Sequence, residues 1–246
     1  MPTTSDLRDR QREAGAIFAA DPSNSIDQPG LPLHFGDPRE EYAAAVTGAA
    51  LFDWSDRGLI ELTGKDRLTF LHSFCTNDIK RLAAGHGCEA FVTNVKGRIL
   101  GHIWSEANDT ALRLDAGPGS PERLRAHLER YIINEDVTVA DLSTEWGELL
   151  VVGPSAASLL SRDLADVKGL RSLQHFEMQS ADGLIRISRR DVGSQPAYVI
   201  GAPRGELGAI WQKLSQARVR PAGSAAWSAL RVRHYGPAPT ARPGFY

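Results

Sequence analysis

Cysteine is scarce in this chain of 246 residues, with Cys75 and Cys88 the only two. A single pair cannot staple a fold of this length, nothing points to an oxidising compartment, and a Cys-rich zinc module is excluded. Long apolar runs are missing as well: no stretch of about 18 apolar residues occurs, so no membrane span is expected. The opening MPTTSDLRDRQREAG is charged and lacks the apolar centre of a secretory signal, which makes the cytoplasm the expected location. An excess of positive charge is also absent. Lys and Arg total 28 against 30 Asp and Glu, a formal charge of -2, so no bulk field draws nucleic acid and no direct nucleic-acid partner is expected. The composition that remains, 42% hydrophobic and 24% charged, is that of a globular protein and excludes disorder, collagen and coiled coil.

Periodicity predicts interspersed helices and strands. Ser5, Asp6, Leu7, Ala14, Ile17 and Phe18 read as a capped amphipathic helix ending near Asp21-Pro22. A Pro/Gly/Ser/Asn-rich loop over Pro22–Gly36 follows, with one short strand at Leu31–Phe35, and Glu40–Val46 reads as a second helix. Gly58–Leu62 alternates as a strand, Thr63–His72 reads as a helix, and Thr76-Asn77-Asp78-Ile79 has the N-cap composition of another short helix. Cys88–Val95 and Arg98–Ser105 form a predicted hairpin with Lys96-Gly97 at its tip, where Gly97 supplies a positive φ. Further on, Ser120-Pro121 opens a helix, and Glu148–Val152, Leu184–Ser188 and Ala197–Ile200 read as strands. Arg204–Gln216 is predicted helical, with Leu207, Ile210, Trp211 and Leu214 on one face, as is Ser224–Val232; Gly236–Tyr246 has no periodicity. Hairpins without strict βαβ alternation make the fold class α+β.

Motifs of known chemistry are weak. Gly153-Pro154-Ser155-Ala156-Ala157 sits where a nucleophile elbow would, but Ala157 stands where the elbow needs glycine, and a helix start is the better reading. Gly117 and Gly119 make a G-x-G that lacks its third glycine. The seven histidines show no i, i+4 spacing for a metal, and nothing marks either thiol as reactive. Lys96-Gly97-Arg98 places two cations at a hairpin tip, either solvated or gripping an anion. Arg231-Val232-Arg233-His234 likewise reads as surface charge or as a receiver for a carboxylate or phosphate.

One ordered set of segments resembles a known superfamily. Leu51-Phe52-Asp53-Trp54-Ser55-Asp56-Arg57-Gly58, Leu59–Leu68, Phe70-Leu71-His72, Thr76–Ile79, Asn94–Leu100, Val152–Ala156, Ala229-Leu230-Arg231 and Tyr235-Gly236 occur in the order found there. The superfamily holds the T-protein (aminomethyltransferase) of the glycine cleavage system and the YgfZ-type folate-binding proteins; the Asn94–Leu100 segment is similar to the YgfZ side. The resemblance implies two interleaved α+β subdomains around a central cavity that admits tetrahydrofolate. It also implies a C-terminal β-barrel, before which this chain stops, leaving a face for a protein partner or self-association. The expected division is residues 1–30 as helix and loop, 31–236 as the folate-binding region and 237–246 as irregular tail.

Transferred residue by residue, the resemblance names Asn77, Lys96, Arg98, Gln195, Tyr198 and Arg231 as contacts for the folate. Asn77 is the expected polar contact and Tyr198 the stacking or edge contact, with Gln195 where T-proteins hold the pterin with glutamate. Arg231, Lys96 and Arg98 would take the glutamate tail. The acidic pair of T-proteins aligns with Leu100 and Gly101, which cannot move a proton, so no catalytic residue is assigned. The YgfZ cysteine signature is absent, and Arg233 replaces a family glutamate. The reading is a YgfZ-like, non-catalytic tetrahydrofolate-binding protein in the service of iron–sulfur proteins and tRNA modification. Its rivals are a folate-dependent aminomethyl- or methyltransferase and an interaction module that has lost the ligand.

Overall fold

The computed structural model describes residues 4–18 and 30–235. Its elements run α1 (Thr4–Glu13), β1 (Ile17–Phe18), β2 (Pro32–His34), α2 (Pro38–Thr47), β3 (Ala50–Asp53), β4 (Gly58–Thr63), α3 (Arg67–His72), β5 (His86–Thr93), β6 (Ile99–Ala107) and β7 (Ala111–Ala116). They continue as α4 (Pro121–Glu129), β8 (Thr138–Asp141), β9 (Trp146–Val152), α5 (Ala156–Asp163), β10 (His175–Gln179), β11 (Leu184–Arg189), β12 (Ala197–Pro203), α6 (Arg204–Gln216), β13 (Arg220–Ala222) and α7 (Ser224–Tyr235). The class is α+β. A six-stranded sheet has the order β10-β11-β12-β9-β3-β13, a five-stranded sheet the order β5-β6-β7-β4-β8, and β1 and β2 form a ribbon. β3 and β9 are antiparallel neighbours, yet β4 to β8 lie between them in sequence, so the five-stranded unit is an insertion in the six-stranded one. This is the interleaving that the resemblance implied.

Period-two alternation decides which face of each strand meets which layer. On the five-stranded sheet, Ile60, Leu62, Ala90, Val92, Ile103, Leu112 and Leu114 pack with Leu124 and Leu128 of α4. The residues between them, among them Glu61, Glu89, His102, Trp104, Glu106, Arg113 and Asp115, face the other sheet. The six-stranded sheet buries one face against α5 and α6 through Leu149, Val151, Ile187 and Ile200, with the stripe Leu207, Ile210, Trp211 and Leu214 opposite. Each such side chain contributes about 1.5–3 kcal/mol on burial, which explains why α6 has the bounds its periodicity predicts. The opposite face packs Phe52, Leu150, Val152 and Val199 on Ala226 and Leu230 of α7.

α2 locks α7 in place. Asp37 caps it by accepting from the Arg39 N–H at 2.8 Å, with Pro38 in the first turn. Glu41, fully buried, accepts from the Phe35 N–H at 2.6 Å and from the Gly223 N–H at 2.9 Å, tying the start of α7 to the segment after β2.

Three expectations are corrected. Ile17 and Phe18 are strand rather than helix, because Gly15 at φ 87° turns the chain out of α1; Phe18 lies under the Arg8 guanidinium at 4.3 Å. The expected end of that helix at Asp21-Pro22 lies outside the described residues, as do residues 236–246. Thr63 closes β4 instead of opening a helix. Thr76–Ile79 is also not a helix: the Thr76 N–H donates to the Phe91 carbonyl at 3.1 Å, and the Thr76 hydroxyl accepts from the Phe91 N–H at 3.0 Å. The chain here latches onto the edge of β5, and Cys75 bridges Val92.

Gly153, read above as part of a helix start, stands at φ 135° immediately after β9, and Ser155 precedes α5. A Cβ at Gly153 would collide with the Gly48 carbonyl oxygen, a backbone atom unable to yield. Gly153→Ala is expected to cost about 2–3 kcal/mol, measured as the shift in urea unfolding. A cost below about 0.5 kcal/mol would show that the β9–α5 turn relaxes freely.

Candidate functional site

Between the two sheets and α7 lies a cavity of about 540 Å³. β3 and the turn after it supply Phe52, Trp54, Asp56 and Arg57; β5 and β6 supply Glu89, Phe91, His102 and Trp104. Arg190, Asp191 and Val192 enter from beyond β11, and Trp227 and Arg231 from α7. Three of the chain's five tryptophans therefore converge here. Trp54 and Trp227 meet edge to face at 5.2 Å and 80°, and Phe52 meets Trp227 at 5.8 Å, geometries that aromatic pairs prefer. The Arg57 guanidinium lies 5.0 Å over Trp54 and that of Arg190 5.4 Å over Trp104, so the aromatic wall is backed by cations.

Those cations belong to a buried network that joins the sheets. Arg190 donates to Glu106 at 2.8 and 3.1 Å and to Asp115, while Arg57 donates to Asp115 at 2.5 Å. Arg186 pairs with Glu106 at 2.8 Å and with Glu148 at 3.0 Å. Burial alone would raise Glu106, but Arg190 and Arg186 outweigh it and hold the carboxyl well below the usual range. Asp115 is likewise depressed: burial opposes ionisation, and Arg57 and Arg190 overcome it. Glu148 goes the other way, pushed up to about 7 by burial and by the nearby Asp115 charge. His175, beside this network, is driven down to about 4, mainly by burial; Glu106 opposes the shift, and Arg186 and Arg190 reinforce it.

At the cavity's rim, Asp56 has an open surface, yet the protein packed around its carboxyl pushes it up to about 6, with Arg57 opposing and Asp53 reinforcing. Burial raises the Cys75 and Cys88 thiols to about 12 and about 11, which leaves them protonated and unreactive near neutrality. No described helix is long and apolar enough to cross a membrane.

Of the six residues named from the resemblance, Arg231 lines the cavity and the other five do not. Tyr198 is 1% exposed and points to the opposite face of the six-stranded sheet, among the core residues under α6, because its neighbours Ala197 and Val199 take the α7-facing positions. Lys96 and Arg98 are exposed at the β5–β6 tip, where their N–H groups donate to the Asn94 side chain at 2.9 and 3.0 Å. The tip turns at Gly97, φ 72°, as predicted. Asn77 donates to the Glu89 carbonyl at 2.9 Å, holding the loop to the edge of β5. Gln195 closes a tight turn with Val192.

The residues around the cavity were missed because no single segment displays them. Trp54, Asp56 and Arg57 lie within the Leu51–Gly58 segment, but Trp104, Phe91 and Trp227 have no motif; alternation along β5 and β6 points to Phe91 and Trp104, and nothing local marks Trp227 on α7. Alternation also corrects the search for an acid or base. Gly101 faces Leu124, and Leu100 packs against the α4-side core, whereas the next residue, His102, opens onto the cavity. Its Nε2 is 2.6 Å from Glu89 Oε1.

The family model described as "GCVT N-terminal domain" matches residues 27–235. The chain belongs to this family. It is 26% identical to an aminomethyltransferase of Rubrobacter xylanophilus over 203 residues, covering 82% of this chain and 55% of that one. It is 28% identical to an aminomethyltransferase of Exiguobacterium sibiricum over 210 residues, covering 82% of this chain and 56% of the relative. The chain thus spans about half the length of the curated relatives it matches. Its fold superposes on the glycine cleavage system aminomethyltransferase T of Bartonella henselae with a TM-score of 0.82 and 26% identity, covering 94% of this chain and 62% of that one.

Proposed function

We propose that the cavity between the sheets binds a tetrahydrofolate derivative, and that residues 31–236 are the binding region. The observation that carries this reading is the aromatic wall of Trp54, Trp104, Trp227 and Phe91 with Arg231 beside it. A volume of about 540 Å³ lies in the range of ligand pockets, and the lining suits a flat heterocycle attached to an acid. The Nη2 of Arg57 is a buried donor with no hydrogen-bond partner among the described residues, and so offers a place for an acceptor atom. Arg231 would receive a carboxylate, the tryptophans would stack on the ring system, and the packed walls would exclude water. A tetrahydrofolate would supply the nitrogens that carry one-carbon groups.

On this reading the protein acts as a YgfZ-like folate binder supporting iron–sulfur proteins and tRNA modification. A second reading, a folate-dependent aminomethyl- or methyltransferase, is favoured by the titratable His102–Glu89 pair at the cavity and by the names of the relatives.

Calorimetric titration with 5-formyltetrahydrofolate tests the shared premise. Saturable micromolar binding, about -8 kcal/mol, is expected. Arg231→Ala is expected to weaken it about tenfold or more, since a charged hydrogen bond contributes about 1.5–3 kcal/mol. Absence of heat and of thermal stabilisation at millimolar ligand would remove folate from the reading.

A further inference from the structure

The His102–Glu89 pair lacks a structural reason to exist. Its side chains are 38% and 49% exposed, and an ion pair so open to water contributes about 0–1 kcal/mol to stability. Yet its geometry is tightly set. Glu89 is paired across the ladder with Trp104, and His102 with Phe91, which makes Glu89 and His102 diagonal neighbours on the cavity face. Phe91 and Trp104 flank the imidazole with ring centres at 5.2 and 5.9 Å, restricting its rotation. A carboxylate only accepts, so the Nε2 facing Glu89 carries the proton and the neutral ring leaves Nδ1 as a lone-pair base. No hydrogen bond engages Nδ1 among the described residues. The charged groups that share the cavity wall are Glu89 from β5, Asp53 from β3, Asp56 and Arg57 from the β3–β4 turn, Arg190 and Asp191 beyond β11, and Arg231 from α7.

We propose that His102, oriented by Glu89, exchanges a proton with the ligand bound in this cavity, with Glu89 acting as the positioning residue. The proposal rests on the cavity being the folate site. In one direction a ligand N–H or bound water gives its proton to Nδ1, the N–H bond's electron pair staying on the donor atom, while Nε2–H remains donated to Glu89. In the other direction Nδ1–H returns the proton to a basic ligand nitrogen. No oxidant or further reactant is required.

The test is calorimetry in two buffers of different ionisation heat, near neutrality, with 5-methyltetrahydrofolate, whose N5 is a basic amine, and 5-formyltetrahydrofolate, whose N5 is an amide. Wild type is expected to show buffer-dependent heats with the methyl compound, because one proton drawn from the buffer is then held between Nδ1 and the basic N5, and much smaller dependence with the formyl compound. His102→Gln is expected to bind the methyl compound within about threefold of wild type, the scale of one lost hydrogen bond, with the buffer dependence gone. Without ligand, imidazole nitrogen shifts are expected to report the Nε2–H tautomer in wild type and a tautomer mixture in Glu89→Gln. Binding with unchanged proton exchange in His102→Gln, or an Nδ1–H tautomer in wild type, overturns the proposal while leaving the folate site standing. Failure of wild type to bind either compound removes the folate reading and the proposal with it.

Discussion

Arg190→Met is expected to destabilise the protein by about 3–5 kcal/mol, because it strands buried carboxylates. Arg190 is 3% exposed and donates to both Glu106 and Asp115, which are 6% and 1% exposed. Arg186 and Arg57 remain as partial partners, but each is already engaged, with Glu106 and Glu148 and with Asp115 respectively. The methionine fills much of the volume, so the loss reports uncompensated charge rather than a void. Urea unfolding of Arg190→Met, Glu106→Gln and the double variant measures this. The double variant is expected to recover at least a third of the loss. A single-variant cost below about 1 kcal/mol would show that water solvates the network and that the two sheets are not joined by charge.

The second large effect concerns acid. His175 titrates near 4 in the folded protein against 6.5 in a free chain, so the unfolded state takes up the proton first as pH falls. The stability this group contributes is complete above about 6.5 and lost by about 4, roughly 3 kcal/mol in all. Glu148 has the opposite sign. Its folded value near 7 exceeds the ordinary 4.5, so its contribution is complete below 4.5 and lost as pH rises through 7. Asp56, raised to about 6 but open to water, adds a shallow slope of Glu148's sign; between 4.5 and 6.5 the slopes of Glu148 and His175 oppose and largely cancel. His175→Gln removes one of them, so its unfolding free energy is expected to rise as pH falls from 6.5 to 4.5. A variant profile parallel to that of wild type would show that His175 is solvated in the folded protein.

Legibility from sequence follows the strength of local periodicity. α6 was readable to its ends because Leu207, Ile210, Trp211 and Leu214 form one stripe, and the β5–β6 hairpin because Gly97 marks its tip. β3 and β13 were not, since a central strand of four residues and an edge strand of three carry too few positions for a pattern. Thr76–Ile79 looked like a helix start because the groups that cap helices serve equally well to latch a loop to a strand edge. The site was hidden more deeply. Resemblance placed Tyr198 and Gln195 by position along the chain, whereas the faces of β12 and the turn before it decide what reaches the cavity, and they turn Tyr198 away. His102 follows Gly101 directly, and in a strand one residue is the difference between core and cavity.

β13 lies parallel beside β3, with Ala222 opposite Phe52, and α7 follows it directly. Parallel neighbours so far apart in sequence have a temporal meaning. A ribosome delivers Trp54 and Trp104 long before Trp227 and Arg231, so a nascent chain owns most of the aromatic wall without being able to hold anything against it. If the cavity is the binding site proposed above, it is assembled by the docking of the seventh helix, and occupancy would then distinguish chains that have completed both sheets from those still being made.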